Sequence, residues 1–324
     1  MLQIRYDPIK NKKVAIATKR QDRTFHPPKD YCPMCPTKNS KVLTEIPQNS
    51  YDIVVFENKF PTFSRNAEKL NINKYFPYKI NNSLGICEVV CYSQEHNKFL
   101  EDQPMEKIEN LIRVWSDRYY YLGKKQFIKY VLIFENKGKE IGVTLSHPHG
   151  QLYAFSYIPP IVKEELKSSK KYFNKNKQCL HCKIIEEEIK SKVRVVIKNE
   201  GFIAFVPFYA NWPYEVHIYP LRHIGSLCEM ENNEILLLAK ILKGLISRYN
   251  MLFNFRMPYV MVIHQNPSDM NDYEYYHFHF EFYPPYRTRN KLKYLAGCEL
   301  GAGTFINDTL PEEKAAELRN LNIL

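Results

Sequence analysis

Glycine is scarce in this chain, 11 of 324 residues, and tryptophan occurs twice. That excludes glycine-rich fibrous and low-complexity classes. With 44% hydrophobic and 25% charged residues, the composition fits a soluble globular protein. No apolar run approaches bilayer length, so no membrane partner is expected. The N-terminus, Met1-Leu2-Gln3-Ile4-Arg5, lacks the basic region, apolar core and cleavage site of a secretory signal. A cytoplasmic location is expected, and with it reduced thiols rather than disulfides. A continuous basic helix is also missing. The net charge is +11, but the lysines are scattered among asparagines, as in Lys10-Asn11-Lys12-Lys13 and Asn174-Lys175-Asn176-Lys177. This reads as a solvated surface, with no nucleic-acid partner; it also suits an anionic small substrate.

The length accommodates two ordinary domains. Of eight cysteines, four form two CxxC pairs, Cys32-Pro33-Met34-Cys35 and Cys179-Leu180-His181-Cys182. In a reducing compartment such pairs are more often metal or redox sites than staples. Cys87, Cys91 and Cys228 read as small core residues.

Each CxxC pair opens a half with the same plan. The first half continues with strands over 52–58 and 85–92, a loop bearing His96, and a helix with Ile108, Leu111, Ile112, Trp115 and Tyr119 at helical spacing. A strand over 127–134 and a strand carrying His147-Pro148-His149 complete it. The second half has a short helix over 184–189 and strands over 193–197, 202–206 and 214–220. A loop bearing His223 follows, then a helix over 233–249 with Ile235, Leu238, Ala239, Leu242, Leu245 and Ile246 on one side. A strand over 259–263 leads to His277-Phe278-His279. The expected fold class is α+β: two halves, 1–165 and 166–324, each an antiparallel sheet with packed helices, related by internal duplication. The sequence leaves open whether the two sheets merge. A linker is expected near 160–178, around Pro159-Pro160 and the lysine run. A C-terminal helix is expected over 311–320, with Pro311 at N1 and Glu312-Glu313 in its first turn.

Zinc favours four thiolate and imidazole ligands in a tetrahedron, and CxxC supplies two sulfurs from one tight knuckle. Cys32, Cys35, His96 and His147 form one candidate set; Cys179, Cys182, His223 and His277 form the other. Closed Cys2His2 shells have no open position, so both metals are expected to be structural. Glu165, His264, His277 and His279 offer a different second site, suited to iron or zinc.

If His147 holds a metal, the bend at Pro148 turns His149 elsewhere as a free imidazole. A neutral imidazole is a good nucleophile near pH 7, and attack on phosphorus gives a labile phosphoramidate. Nδ1 must then keep its proton and donate a hydrogen bond to an acceptor, leaving Nε2 to attack. Gly150 permits close backbone approach, and the Gln151 amide can donate to a phosphoryl oxygen. A zinc-stabilised nucleotide- or RNA-binding module would also use a basic surface and aromatics, but it gives no reason for His149 and Gln151 together.

Nearly the whole chain resembles the galactose-1-phosphate uridylyltransferases, a branch of the histidine-triad superfamily. The resemblance is carried by Phe134-Glu135-Asn136-Lys137-Gly138, Ser146-His147-Pro148-His149-Gly150-Gln151 and Asn211-Trp212-Pro213-Tyr214-Glu215. His277-Phe278-His279-Phe280-Glu281-Phe282-Tyr283-Pro284-Pro285 and Ala296-Gly297-Cys298-Glu299-Leu300 also match. It implies two histidine-triad-like halves and a ping-pong reaction. His149 takes a uridylyl group from UDP-glucose, releasing glucose 1-phosphate, and passes it to galactose 1-phosphate. It implies nucleotide-sugar contacts from Asn58, Asn136, Gly142, Thr144 and Gln151, with Thr144 where relatives commonly carry serine. Lys293, Tyr294 and Glu299 match a hexose-holding segment, where Cys298 replaces a common tyrosine. Arg20 and Arg23 resemble residues that reach a partner subunit's site, so a homodimer is implied. The second CxxC departs from the best-known bacterial members, which use a glutamate and three histidines. It resembles ADP-glucose phosphorylases, which bind a second zinc there. Adenylyl transfer from an ADP-sugar is the alternative reading.

Overall fold

Nine strands, several of them buried on both faces, pair into one continuous antiparallel sheet. The computed structural model describes residues 1–23, 27, 31–38, 43–67 and 77–321. The first half contributes β3 (Val54–Glu57), β5 (Gly85–Cys91), β6 (Tyr130–Lys137) and β7 (His149–Phe155). The second contributes β8 (Val195–Lys198), β9 (Phe202–Phe205), β10 (Val216–Pro220), β11 (Tyr259–His264) and β12 (His279–Tyr283). Their order is β3-β5-β7-β6-β11-β12-β10-β9-β8. The order β3-β5-β7-β6 is mirrored by β9-β10-β12-β11, which is what a duplication joined back to back requires. The halves meet where β6 pairs with β11, Tyr259 opposite Lys137. The sheets therefore merge, a point the sequence left open.

Each half crosses one sheet face with a helix at the same point: α1 (Met105–Gly123) between β5 and β6, and α4 (Asn232–Phe253) between β10 and β11. Ile108, Leu111, Ile112, Trp115 and Tyr119 are buried as their spacing requires, and Leu122 extends the stripe. Burying each such side chain contributes about 1.5–3 kcal/mol. Leu152 and Ala154 of β7, Phe280 and Phe282 of β12, and Val216 and Ile218 of β10 meet these helices in one core. Strand alternation then sends His149 and Gln151, His279 and Glu281, and His217 to the other face. Hydrophobic periodicity thus assigns His149, Gln151, His217, His279 and Glu281 to one side of the sheet.

That side is covered by a separate three-stranded sheet of β1 (Leu2–Asp7), β2 (Lys12–Ala17) and β4 (Lys79–Asn82), together with α2 (Pro160–Asn176). α2 occupies the stretch expected as a linker. Pro160 sits at N1, where its missing N–H costs nothing, and Val162, Leu166 and Ser169 bury one face. The lysines lie on the outer faces of a helix rather than in a coil. The expected boundary at 165/166 falls inside α2. α3 (Leu180–Ser191) follows, with Cys179 at its N-cap. The terminal strands β13 (Tyr286–Thr288) and β14 (Lys291–Leu292) form a small pair, and α5 (Pro311–Arg319) starts with the expected proline. No helix among the described residues is long and apolar enough to cross a membrane.

Candidate functional site

β7 begins at His149, so His147 and Pro148 precede the strand rather than lying in it. The backbone enters the sheet between the two imidazoles, and the rings separate. His147 is buried, and its Nδ1 lies 3.7 Å from Cys32 Sγ and 3.5 Å from Cys35 Sγ. His96 Nδ1 stands 3.7 Å from Cys35 Sγ. A tetrahedral zinc with ordinary Zn–S and Zn–N lengths sets such edges at about 3.6 Å. Burial and the adjacent Cys32 push the Cys35 thiol up to about 12, so a pair of thiolates here needs a cation. His147 is held neutral: burial lowers it to about 4. Its Nε2 donates to the Ser93 carbonyl at 2.7 Å, and that carbonyl also accepts from Tyr51 Oη at 2.5 Å. The four residues named from the sequence fit zinc as a set.

His149 Nδ1 lies 2.7 Å from the His147 carbonyl oxygen, to which it can only donate. This fixes the tautomer and leaves Nε2 with its lone pair and no protein partner among the described residues. Burial lowers the His149 pKa, keeping the ring neutral at pH 7.

His149 lies at the junction of two cavities, with Thr144 and Leu145 also shared by both. The first has apolar walls from Met34, Phe56, Phe60 and Val89, and contains Arg20, Arg23, Asn58, Lys59, Glu45 and Gln151. The second is lined by Asn136, Lys137, Lys139, Ser146 and His96, among others. Gly138 (φ 100°) and Gly142 (φ 79°) bracket a turn whose Gly138 and Lys139 line it. A Cβ on Gly138 would meet Pro258 at 2.4 Å, so this turn requires glycine.

Of the residues named from the sequence, Asn58, Gln151, Arg20 and Arg23 line the first cavity, Asn136 lines the second, and Thr144 both. Arg20 and Arg23 thus face the cavity of their own chain; Arg20 is held by Thr62 Oγ1 at 3.1 Å and Tyr153 Oη at 3.0 Å. Gly142 lines neither cavity. Lys293, Tyr294 and Glu299 lie outside both. Lys293 is buried against Glu299, 3.1 Å away, while Tyr294 is exposed.

The second CxxC also finds its two histidines. Cys182 Sγ lies 3.2 Å from His223 Nδ1 and 3.4 Å from His277 Nδ1, with Cys179 completing the set. The alternative set does not form as named, because His277 turns to the cysteines. A third cluster forms beside it, from Glu165 on α2, His264 on β11, and His279 and Glu281 on β12. His264 Nδ1 is 3.0 Å from Glu165 Oε1 and 3.7 Å from Glu281 Oε2, yet makes no hydrogen bond; His279 Nε2 is 3.5 Å from Glu281 Oε1. Burial opposes charge on His264, but Glu165 and Glu281 outweigh it and raise its pKa to about 9. A buried carboxylate, Glu281, and a half-buried one, Glu165, thus favour a positive centre between them. Tyr276 Oη steadies Glu165 Oε2 at 2.6 Å, and Tyr283 Oη hydrogen-bonds Glu281 Oε2. Sequence reasoning missed Glu281, although His277, His279 and Glu281 recur at every second position of one extended segment.

Residues 3–159 match the family model described as galactose-1-phosphate uridyl transferase, N-terminal domain, and residues 165–323 match its C-terminal domain. A galactose-1-phosphate uridylyltransferase of Thermotoga maritima is 39% identical, covering 100% of this chain and 99% of the relative. One of Streptomyces lividans is 31% identical, over 97% and 85%. A solved uridylyltransferase superposes with a TM-score of 0.87 at 36% identity, covering 98% and 97%. An Arabidopsis thaliana ADP-glucose phosphorylase with bound ADP-glucose gives 0.77 at 25% identity, over 100% of each chain.

Proposed function

The chain belongs to the galactose-1-phosphate uridylyltransferase family, and on that premise we propose that it moves a uridylyl group from UDP-glucose to galactose 1-phosphate through a covalent bond to His149. The observation that carries this reading is the Nδ1 contact of His149 with the His147 carbonyl, which presents a neutral Nε2 at the meeting point of two cavities.

Nε2 attacks the α-phosphorus; the bond from that phosphorus to the bridging oxygen breaks, and glucose 1-phosphate leaves with the electron pair. The proton stays on Nδ1, hydrogen-bonded to the His147 carbonyl, which stabilises the uridylylated imidazolium. A phosphate oxygen of galactose 1-phosphate then attacks the same phosphorus and expels Nε2. The apolar walls of the first cavity suit a base, and Arg20, Arg23 and Gln151 suit the phosphoryl oxygens. The second cavity, with Asn136 and Lys139, suits the hexose phosphate.

The two Cys2His2 sets would hold structural zinc, pinning the knuckles to the sheet. The Glu165, His264, His279 and Glu281 set would hold a divalent ion that accepts nitrogen and oxygen, such as iron, zinc or manganese. A homodimer in the cytoplasm is part of the same reading. The exposed Tyr294, Leu295, Leu300, Phe305 and Ile306 of the C-terminal segment offer it a contact surface.

Isotope exchange tests the proposal. Labelled glucose 1-phosphate should enter UDP-glucose with no galactose 1-phosphate present. Exchange that required the second hexose phosphate would exclude the ping-pong route. Exchange with ADP-glucose alone would move the assignment to adenylyl transfer.

A further inference from the structure

We infer that Glu45 reads the ribose of the nucleotide sugar, accepting hydrogen bonds from its 2′- and 3′-hydroxyls. The inference deepens the nucleotide-sugar reading above and rests on it.

A ribose diol presents two O–H donors, and a carboxylate is the acceptor that meets both. Asn58 is the first candidate by position, but its Oδ1 already accepts from the Phe60 N–H at 2.9 Å. The side chain closes a turn in its own backbone and leaves its amide N–H2 for a ligand. Arg20, Arg23 and Lys59 are donors only. Glu45 is the one carboxylate lining this cavity among the described residues. It shares the cavity with Asn58 and Lys59 and with the apolar walls of Met34, Phe56 and Phe60.

Its placement is built rather than incidental. The Glu45 N–H donates to the Pro33 carbonyl at 2.9 Å, inside the Cys32–Cys35 knuckle. Thr44 Oγ1 donates to the Cys35 carbonyl at 2.7 Å. Lys59 Nζ reaches Glu45 Oε1 at 2.9 Å, orienting the carboxylate from the rim. The first metal knuckle thus carries the acceptor as well as part of the base wall. Among the described residues Lys59 is the one side-chain partner of the Glu45 carboxylate, which lines the cavity.

The test compares UDP-glucose with its 2′-deoxy and 3′-deoxy analogues by kcat/KM for glucose 1-phosphate release. The protein should prefer the ribose form by roughly 10- to 100-fold, the range of a lost hydrogen bond to a charged group. Glu45→Ala should reduce that preference to about 3-fold or less, mainly through KM for UDP-glucose. Lys59→Ala, which keeps the carboxylate, should retain most of it. A purely structural role for Glu45 would slow all substrates alike and leave the preference intact, and that result overturns the inference. So does a parent protein that accepts deoxyribose equally well. If the parent released no glucose 1-phosphate from UDP-glucose, the transfer reading itself would have failed, and the ribose assignment would fall with it.

Discussion

His279 stands to His277 as His149 stands to His147. In each pair the first imidazole turns Nδ1 toward cysteine sulfurs, and the second sets its own Nδ1 against the carbonyl oxygen of the first, at 3.0 Å for His279 and 2.7 Å for His149. The two Nε2 atoms part company there. That of His149 faces the cavities, while that of His279 is buried against Glu281 in the third cluster. Duplication supplied the nucleophile geometry twice, and the second copy serves the interior.

Replacing His149 by glycine should reduce uridylyl transfer by about 10^4-fold or more, because it removes the imidazole that forms the phosphoramidate. Metal content and melting temperature should be retained, since His149 belongs to none of the ligand sets. Loss of metal from this variant, measured by elemental analysis, would mean that the roles of His147 and His149 are reversed.

Elemental analysis of the purified protein should find three divalent ions per chain. Cys182→Ser should remove one zinc, and His264→Ala should remove a different ion while both zincs remain. A parent protein with two ions, or one in which both variants lose the same ion, would mean that the third cluster is held together by protons alone.

Tyr51→Phe should weaken the first zinc site about 10-fold, measured by competition with a chelator. The Tyr51 hydroxyl and His147 Nε2 share the Ser93 carbonyl, and losing the hydroxyl loosens the ligand's orientation. Unchanged metal affinity would show that the packing around His147 suffices.

Glu135 makes stability pH-dependent. It is buried on the helix side of β6, with Oε1 3.0 Å from Tyr92 Oη and 3.3 Å from Tyr259 Oη. Burial pushes its pKa up to about 7 from an ordinary 4.5. A folded pKa above the unfolded one gives stability that is complete below pH 4.5 and is lost as pH rises through 7. The protein should therefore lose about 2–3 kcal/mol from this group between pH 5 and pH 8, and Glu135→Gln should abolish that part of the slope. Parallel denaturation curves for the two proteins across this range would refute the assignment.

Much of this was legible in the sequence because it rests on local rules. The apolar spacing of α1 and α4, the period-two strands and the doubled CxxC and HxH patterns gave the α+β halves and both Cys2His2 sets. The stretch from Pro159 to Lys177 misled because its prolines and lysines outweigh three well-spaced buried residues, Val162, Leu166 and Ser169. The sequence nonetheless groups Glu165 with His264 and His279, and puts His277 where the structure puts Glu281. Glu45 gave no signal of its own, because its position depends on a knuckle that folds only with its distant histidines. Lys293 and Glu299 matched a substrate-binding motif, but within this chain they pair with each other, a choice made by tertiary burial.

Intact-mass spectrometry after mixing the protein with UDP-glucose alone tests the central claim most directly. The expected result is a UMP-sized increment, released glucose 1-phosphate, and fragments that place the increment on His149. An unmodified protein that nonetheless forms UDP-galactose once galactose 1-phosphate is added, or an increment on any other residue, would contradict it.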